Sequence, residues 1–473
     1  MAVARDDAEV TTKLASKIAR ELEEEIRSLQ WPVGEVLGSE AELIERFHVS
    51  RAAIREAIRI VEHDGAATMR RGPGGGLVVT APDPTAVATA ASMWFASRGI
   101  SASEVLHARD PLVLTAVRGA AESSDEDGVQ ELDAFVSELQ ETGRLGPRDF
   151  IEIDVLIARI SGSPVLYLFI SALSDVLTSR LLGTRTRLVP PVDRESAELH
   201  LTGYRRVADA IIRGDGGEAQ ARMAAMLRAA AARMQDRPLR PRRNGPVIPE
   251  GPGKLGERVA MTIADDIERS GWQEGSVFGS SADLMERYGV SLAVLREAVR
   301  ILEHYGAVTT KRGPGGGLVI IRPDWQSIVR AAELELDHEG VTLPQLLDAR
   351  AALEMESVRL AAARIDDEVA EDLRAALAAD PIGSANPADF HEVHRHLATA
   401  SGSRPLALFV DVLTELTMAH VPRRRRSQSE RDAIWAEVSK AHTAIVDAVI
   451  AGEVPLAQRR MLRHLEATIA TLD

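Results

Sequence analysis

The sequence predicts a mainly α fold in which two winged helix-turn-helix domains, each with a small β-hairpin wing, alternate with two all-α helical bundles. Three observations carry this expectation. Residues 34–82 and 275–323 align without a gap at a constant offset of 241 and agree at 30 of 49 positions. A period so long marks a duplicated domain, because solenoid repeats run about 20–50 residues. Within each copy, apolar residues fall first at helical spacing and then in two short β-prone runs around a Gly-Pro-Gly-Gly-Gly tip. The chain that follows each copy is alanine- and leucine-rich with helical spacing and polar breaks.

The first helix spans residues 8–29, with Val10, Leu14, Ile18, Leu22 and Ile26 four apart on one face. Ser39-x-x-Glu42 and Ser280-x-x-Asp283 have the form of capping boxes that start a short helix. His48-Val49-Ser50 and Gly289-Val290-Ser291 are tight turns, after which Ser50 caps a longer helix reaching His63. Gly65 and Gly306 stand where that helix should end. The runs Ala67–Arg71 and Leu77–Thr80 then make the wing. Helix, turn, helix, wing is an arrangement whose second helix is shaped to enter a DNA major groove. The expected domains are 8–82 (winged), 85–235 (helical), a Pro/Gly/Arg-rich linker at 236–253, 254–323 (winged) and 324–473 (helical). Val189-Pro190-Pro191 breaks the first helical domain, and Arg423–Arg426 is expected in a solvated interhelical loop.

Composition narrows the classes. A length of 473 residues exceeds what one core usually holds. Aromatic content of 4% argues against binding single strands by base stacking. No apolar run approaches the roughly 18 residues of a membrane helix, and the first ten residues lack an apolar signal segment. The absence of cysteine excludes disulfides and thiolate metal sites. Together these point to the cytoplasm. A net charge of −15 opposes indiscriminate DNA binding, yet Arg51, Arg55, Arg59, Arg70 and Arg71 cluster in the first winged copy.

The runs VSRAAIREAIRIVEHDGA and RRGPGGGLVV resemble the DNA-binding domain of the GntR family of bacterial transcription regulators, over about 75 residues per copy. The helical domains resemble the all-α, effector-binding FCD domain of that family's fatty-acid-responsive branch. The second shows it in Arg350-x-x-x-Glu354, in His394 before Ser401-Gly402-Ser403, and in His442 and His464. The first keeps the frame in residues 160–170 and in Tyr204–Gly214. The resemblance implies a repressor released from a double-stranded operator by a small carboxylate or acyl effector. With two copies in one chain it implies a covalent pseudo-dimer, and a further homodimer is open. The alternatives are an architectural DNA-bridging protein without effector and a metal-dependent enzyme.

Candidate DNA contacts in the first copy are Ser50, Arg51, Arg55, Arg59, Arg70, Arg71, Gly74 and Gly75. Those in the second are Ser291, Arg296, Arg300, Lys311, Arg312, Gly315 and Gly316. Arginine forks can grip guanine edges or phosphates; the bland alternative is surface pairing with Glu56 or Glu62. Leu292 replaces Arg51, and Ala41 and Ala282 stand where many relatives carry a base-contacting arginine. The second head is therefore expected to hold phosphate better than it reads bases, or to read a different half-site. By the resemblance, Arg109 and Arg350 meet an effector carboxylate, with Asp154 and Tyr204 beside Arg109. Their alternative is a salt bridge with Asp110 or Glu354. The resemblance also implies a divalent ion of the zinc or nickel type on His394, His442 and His464. Phe390 replaces the usual aspartate, Asp389 flanks it, and His391 is a candidate fourth ligand. The first copy has Phe150, Asp154, Tyr204 and Met226 at these places, so no metal is expected there. No HExxH, nucleophile elbow or phosphate loop is present, so no enzymatic activity is expected.

Overall fold

A computed structural model describes residues 3–72, 74–123, 125–143, 146–182, 194–235, 254–311, 313, 315–379, 391–421 and 427–472. The linker 236–253, the break at 189–191, Arg312, Asp389, Phe390 and Arg423–Arg426 lie outside the described residues. The first half runs α1 (Val3–Ser28), β1 (Val36–Gly38), α2 (Glu40–Phe47), α3 (Arg51–Asp64), β2 (Ala67–Arg70), β3 (Gly76–Val79) and α4 (Ala86–Ser97). It continues with α5 (Ala102–Glu122), α6 (Glu126–Thr142), α7 (Pro147–Ile160), α8 (Pro164–Leu182), α9 (Arg194–Ile212) and α10 (Gly216–Gln235). The second half repeats the order with α11 (Leu255–Arg269), β4 (Val277–Gly279), α12 (Ser281–Tyr288), α13 (Leu292–His304), β5 (Val308–Lys311), β6 (Gly317–Ile320) and α14 (Gln326–His338). It ends with α15 (Leu343–Ala363), α16 (Asp367–Ala379), α17 (Glu392–Ala400), α18 (Arg404–His420), α19 (Gln428–Ile450) and α20 (Val454–Leu472).

Each winged domain is built as its residues dictate. Ser39 and Glu42 form the expected reciprocal cap of α2, and Ser280 and Asp283 that of α12. The Ser50 hydroxyl accepts from the Ala53 N–H at 3.2 Å to start α3. His48 (φ 52°) and Gly289 (φ 63°) take the left-handed conformation that turns α2 into α3 and α12 into α13. The wing hairpin acquires a third strand that the residue pattern did not announce. β1 pairs antiparallel with β3 in the order β1-β3-β2, and β4 with β6 in the order β4-β6-β5. Three residues are too few to show alternation, so β1 exists only through its tertiary partner. At the tip, a Cβ on Gly75 or Gly316 would strike the carbonyl oxygen of Arg70 or Lys311, which restricts both positions to glycine. The Trp31 indole donates to the Thr80 carbonyl at 2.8 Å and Trp272 to that of Ile321 at 2.9 Å, locking the end of the first helix to the last strand.

The chain's contacts divide into two compact units, residues 1–87 with 327–341 and residues 88–326 with 342–473. In the first unit, Leu334 of α14 joins the winged core of Leu22, Ile26, Leu43, Ile54, Ala57, Val61 and Leu77. Arg27 of α1 forms ion pairs with Asp337 and, at 3.3 Å, with Glu333. In the second unit, the segment ending α4 lies against the second winged domain, where Arg98 donates to the Pro323 carbonyl at 3.2 Å. The first head thus carries the connecting helix of the second half, and the chain just after α4 meets the end of the second head. α4 is apolar nearly all round and α14 along one face, so both call for burial, but the sequence does not show which head covers them.

Within the second unit the helical domains pack on each other through α5 and α15, with α8 against α15 and α18 against α5. The Phe409 ring of α18 stands edge-on to Phe95 (6.1 Å) and Phe169 (5.5 Å) of the first half. Arg404 donates to the Arg98 carbonyl at 2.8 Å and pairs with Glu104 at 3.0 Å.

Candidate functional site

The start of α3 presents its basic side chains to solvent. Arg51, Arg55 and Arg59 are exposed on one side, while Ile54, Ala57, Ile58 and Val61 fill the core on the other. Arg51 and Arg55 each place Nε 3.0 Å from the same Glu40 carboxylate oxygen, at the start of α2. Arg59 pairs with Glu56 at 2.5 Å. Pairing with Glu62 does not occur, because Glu62 accepts from the Met69 N–H at 2.8 Å and holds the wing to α3. Arg70, Arg71 and Gly74 are exposed on the wing and Gly75 is half-buried in its turn.

The second head repeats this frame with a different face. Ser291 caps α13 through the Val294 N–H at 3.4 Å, and Glu303 accepts from the Thr310 N–H at 2.9 Å in place of Glu62. Ser281 stands where the first head has Glu40, and Arg296 and Arg300 are exposed without an ion pair among the described residues. Leu292, in the place of Arg51, is 40% exposed. Lys311 and Gly315 are exposed and Gly316 is half-buried at the second tip.

In the second helical domain, His394 of α17, His442 of α19 and His464 of α20 converge beside α15. His394 Nε2 lies 3.2 Å from His464 Nε2 and 3.2 Å from His442 Nε2, and all three residues are buried. Two nitrogens bound tetrahedrally to one zinc stand about 3.3 Å apart, given a Zn–N distance of about 2.0–2.1 Å. Behind them, Glu354 of α15 accepts from His394 Nδ1 and also holds Arg350. Burial pushes His394 down to about 4, against the pull of Glu354. Burial and the two neighbouring imidazoles also hold His464 well below its usual range. Burial alone would raise Glu354, but Arg350 and His394 hold its carboxyl well below the usual range. Burial thus favours the neutral form of His394 and His464 beside the Glu354 carboxylate, and three imidazoles backed by a carboxylate are a donor set that transition metals take.

His391 does not join the triad. It is 7% exposed, its two ring nitrogens have no hydrogen-bond partner among the described residues, and it lies outside the convergent group. It is the N-cap residue of α17.

The first helical domain uses the same four helices differently. Arg109 of α5 forms a 2.6 Å ion pair with Asp154 of α7, and the Tyr204 hydroxyl of α9 donates to Asp154 at 3.5 Å. All three are buried. Phe150 packs against His200 and Tyr204. Asp154 occupies the position of His394, and Val113 that of Glu354. The arginine is common to both copies, and its carboxylate has moved from α15 itself to the neighbouring helix α7. Arg109 pairs with Asp154 and not with Asp110, whereas Arg350 does take the intrahelical partner Glu354.

The sequence profile of the FCD domain matches residues 104–229 and 345–467, and that of bacterial regulatory proteins of the gntR family matches residues 14–77 and 255–317. The chain belongs to the GntR family. This GntR regulator, a DNA-binding transcription regulator with two FCD domains, is similar to several single-copy proteins. It is 26% identical to a putative L-lactate dehydrogenase operon regulatory protein of Escherichia coli over 230 residues, 47% of this chain and 87% of that protein. It is 28% identical to the transcriptional repressor NanR of an Enterobacter species, over 46% of this chain and 85% of the repressor. A solved GntR structure from Streptococcus agalactiae aligns over 46% of this chain and 99% of its own at 18% identity, with a TM-score of 0.34.

Three features of this GntR regulator escaped the residue-level reading: Glu40 as the shared partner of Arg51 and Arg55, Glu354 as the support of His394, and the exchange of α4 and α14. Only the second carried a signal, in the i,i+4 spacing of Arg350-x-x-x-Glu354.

Proposed function

We propose that this chain is a covalent pseudo-dimer of a metabolite-responsive repressor, reading an imperfect palindrome with its two unequal heads. The exchange of connecting helices is the observation that carries it. A head that borrows its core residue Leu334 from the other half is completed only when both halves fold together. In the first head, Ser50, Arg51, Arg55 and Arg59 face the major groove, with Arg70, Arg71, Gly74 and Gly75 at the backbone. In the second, Ser291, Arg296, Arg300, Lys311, Gly315 and Gly316 do so, and Arg312 is assigned with them by its place beside Lys311. That a relative is named a repressor favours repression as the default.

His394, His442 and His464 are the residues that would hold a divalent ion, and Glu354 fixes the tautomer that leaves His394 Nε2 free to bind it. Such an ion supplies a charged anchor for a carboxylate effector. Arg350, held by the same Glu354, is the guanidinium assigned to the effector carboxylate. The first helical domain lacks this chemistry. Arg109 is paired with Asp154 as Arg350 is with Glu354, so the two copies differ in the histidines, and the first serves as a scaffold. The family reading assigns no enzymatic step to either domain. Among the described residues no helix is long and apolar enough to cross a membrane; a cytoplasmic setting is part of the proposal.

The test is a DNase footprint with chain stoichiometry measured on the same duplex. One chain protecting both half-sites of an imperfect palindrome is the expected result. Two chains on two separate sites would sink the pseudo-dimer.

A further inference from the structure

The two heads differ most at one position. The first residue of the recognition helix is Arg51 in one and Leu292 in the other, each following a serine cap in the same turn. The side chain at this position points away from the domain core in both, since Arg51 is exposed and Leu292 is 40% exposed. Leu292 is thus a large apolar side chain exposed at the start of a helix whose outward face also carries Arg296, Glu297 and Arg300. The surroundings follow the change. Glu40 gathers Arg51 and Arg55 in the first head, whereas Ser281 takes its place in the second, where Arg296 has no ion pair among the described residues.

Major-groove chemistry gives these two faces different targets. A guanidinium matches the paired acceptors of guanine, and an apolar side chain matches the 5-methyl group, which in unmodified DNA only thymine carries. We infer that Leu292 is a specificity-determining residue that reads a thymine 5-methyl group, so that the operator carries guanine in the half facing the first head and thymine at the matching place in the half facing the second. Arg296 and Arg300 hold the flanking phosphates and fix the register. The second head thus reads DNA with a chemistry of its own, and the operator departs from two-fold symmetry at a defined step. This rests on the proposed placement of both recognition helices in the major groove.

The experiment selects duplexes from a random pool with the full chain and then replaces each selected thymine in turn by deoxyuridine, which removes only the 5-methyl group. At one thymine, in the half whose preference survives Arg51→Ala, wild type should lose about fourfold in affinity, the worth of one buried methyl group. Leu292→Ala should bind both duplexes equally, and Leu292→Arg should shift the selected base to guanine. Since the deoxyuridine substitution alters the DNA alone, it reads the contact even if a variant folds poorly. A symmetric operator with guanine in both halves, or indifference to deoxyuridine at every thymine, overturns the inference while leaving the regulator intact. Failure to enrich any sequence overturns the DNA-reading proposal itself.

Discussion

Two buried arginines show how the duplicated helical domains have diverged one residue at a time. Arg109 and Arg350 hold the same place, and a buried guanidinium needs a carboxylate within reach. In the first copy Asp154 supplies it, and in the second Glu354 does. The second solution frees the α17 position for His394 and turns the carboxylate's other oxygen to that imidazole. Removing one partner should therefore be severe. Asp154→Ala is expected to cost about 3–5 kcal/mol by stranding Arg109, and pairing it with Arg109→Met should recover most of the loss in urea unfolding. For the second copy, a His394→Ala/His442→Ala double variant should lose stoichiometric zinc or nickel in elemental analysis, while Asp154→Ala leaves the metal content of the chain unchanged. Wild type that binds neither ion after metal loading would remove the site.

At the scale of elements, α14 docks on the first head through a cluster of acids. Glu23 of α1 is pushed up to about 8 by burial and by Asp64, with Glu333 and Asp337 adding and Arg27 opposing. Asp64 of α3 is pushed up to about 6 by burial, with Glu333 adding and Arg330 and a Glu23 hydrogen bond opposing. Both carboxyls ordinarily titrate near 4. Between about pH 4.5 and 8 the folded unit thus holds protons that the unfolded chain has released, so its stability falls as pH rises through that window. Hydrogen exchange in α1 and α3, corrected for its intrinsic pH dependence, should reveal faster opening at pH 8.5 than at pH 5.5. Glu23→Gln should remove most of the difference. An unchanged difference in that variant would place the pH response elsewhere.

Over the whole molecule, the exchanged helices cross-wire the two halves. α14 carries Leu334 into the first head and leads within a few residues into α15, which bears Arg350 and Glu354. The half that has the histidine triad is thereby joined to the head that has Arg51. A ligand can move a head only by binding one arrangement more tightly than another, and α15, which bears Glu354, follows in the chain the helix that packs on the first head. Loading the chain with zinc and a small carboxylate should therefore change DNase protection first over the half-site lost in Arg51→Ala. A first change over the opposite half-site would mean that each sensor governs its own head.

The duplication, the helices and their caps, the recognition helices and the glycine wing tips were legible in the residues. Each is set by local rules of spacing, capping and backbone freedom acting within a few turns of chain. The three histidines were legible only through family resemblance, since nothing in their spacing across residues 394 to 464 brings them together. Tertiary structure alone decided the rest. β1 needs its partner strand to exist. Glu40 and Glu354 became partners of specific side chains because packing set them within hydrogen-bond reach, and His391 was left outside the triad by the same packing. The apolar faces of α4 and α14 call for burial without naming a partner, because the hydrophobic effect is non-directional. Which head each helix completes is settled by shape and ion pairing, in Leu334 among the core residues and Arg27 against Glu333 and Asp337.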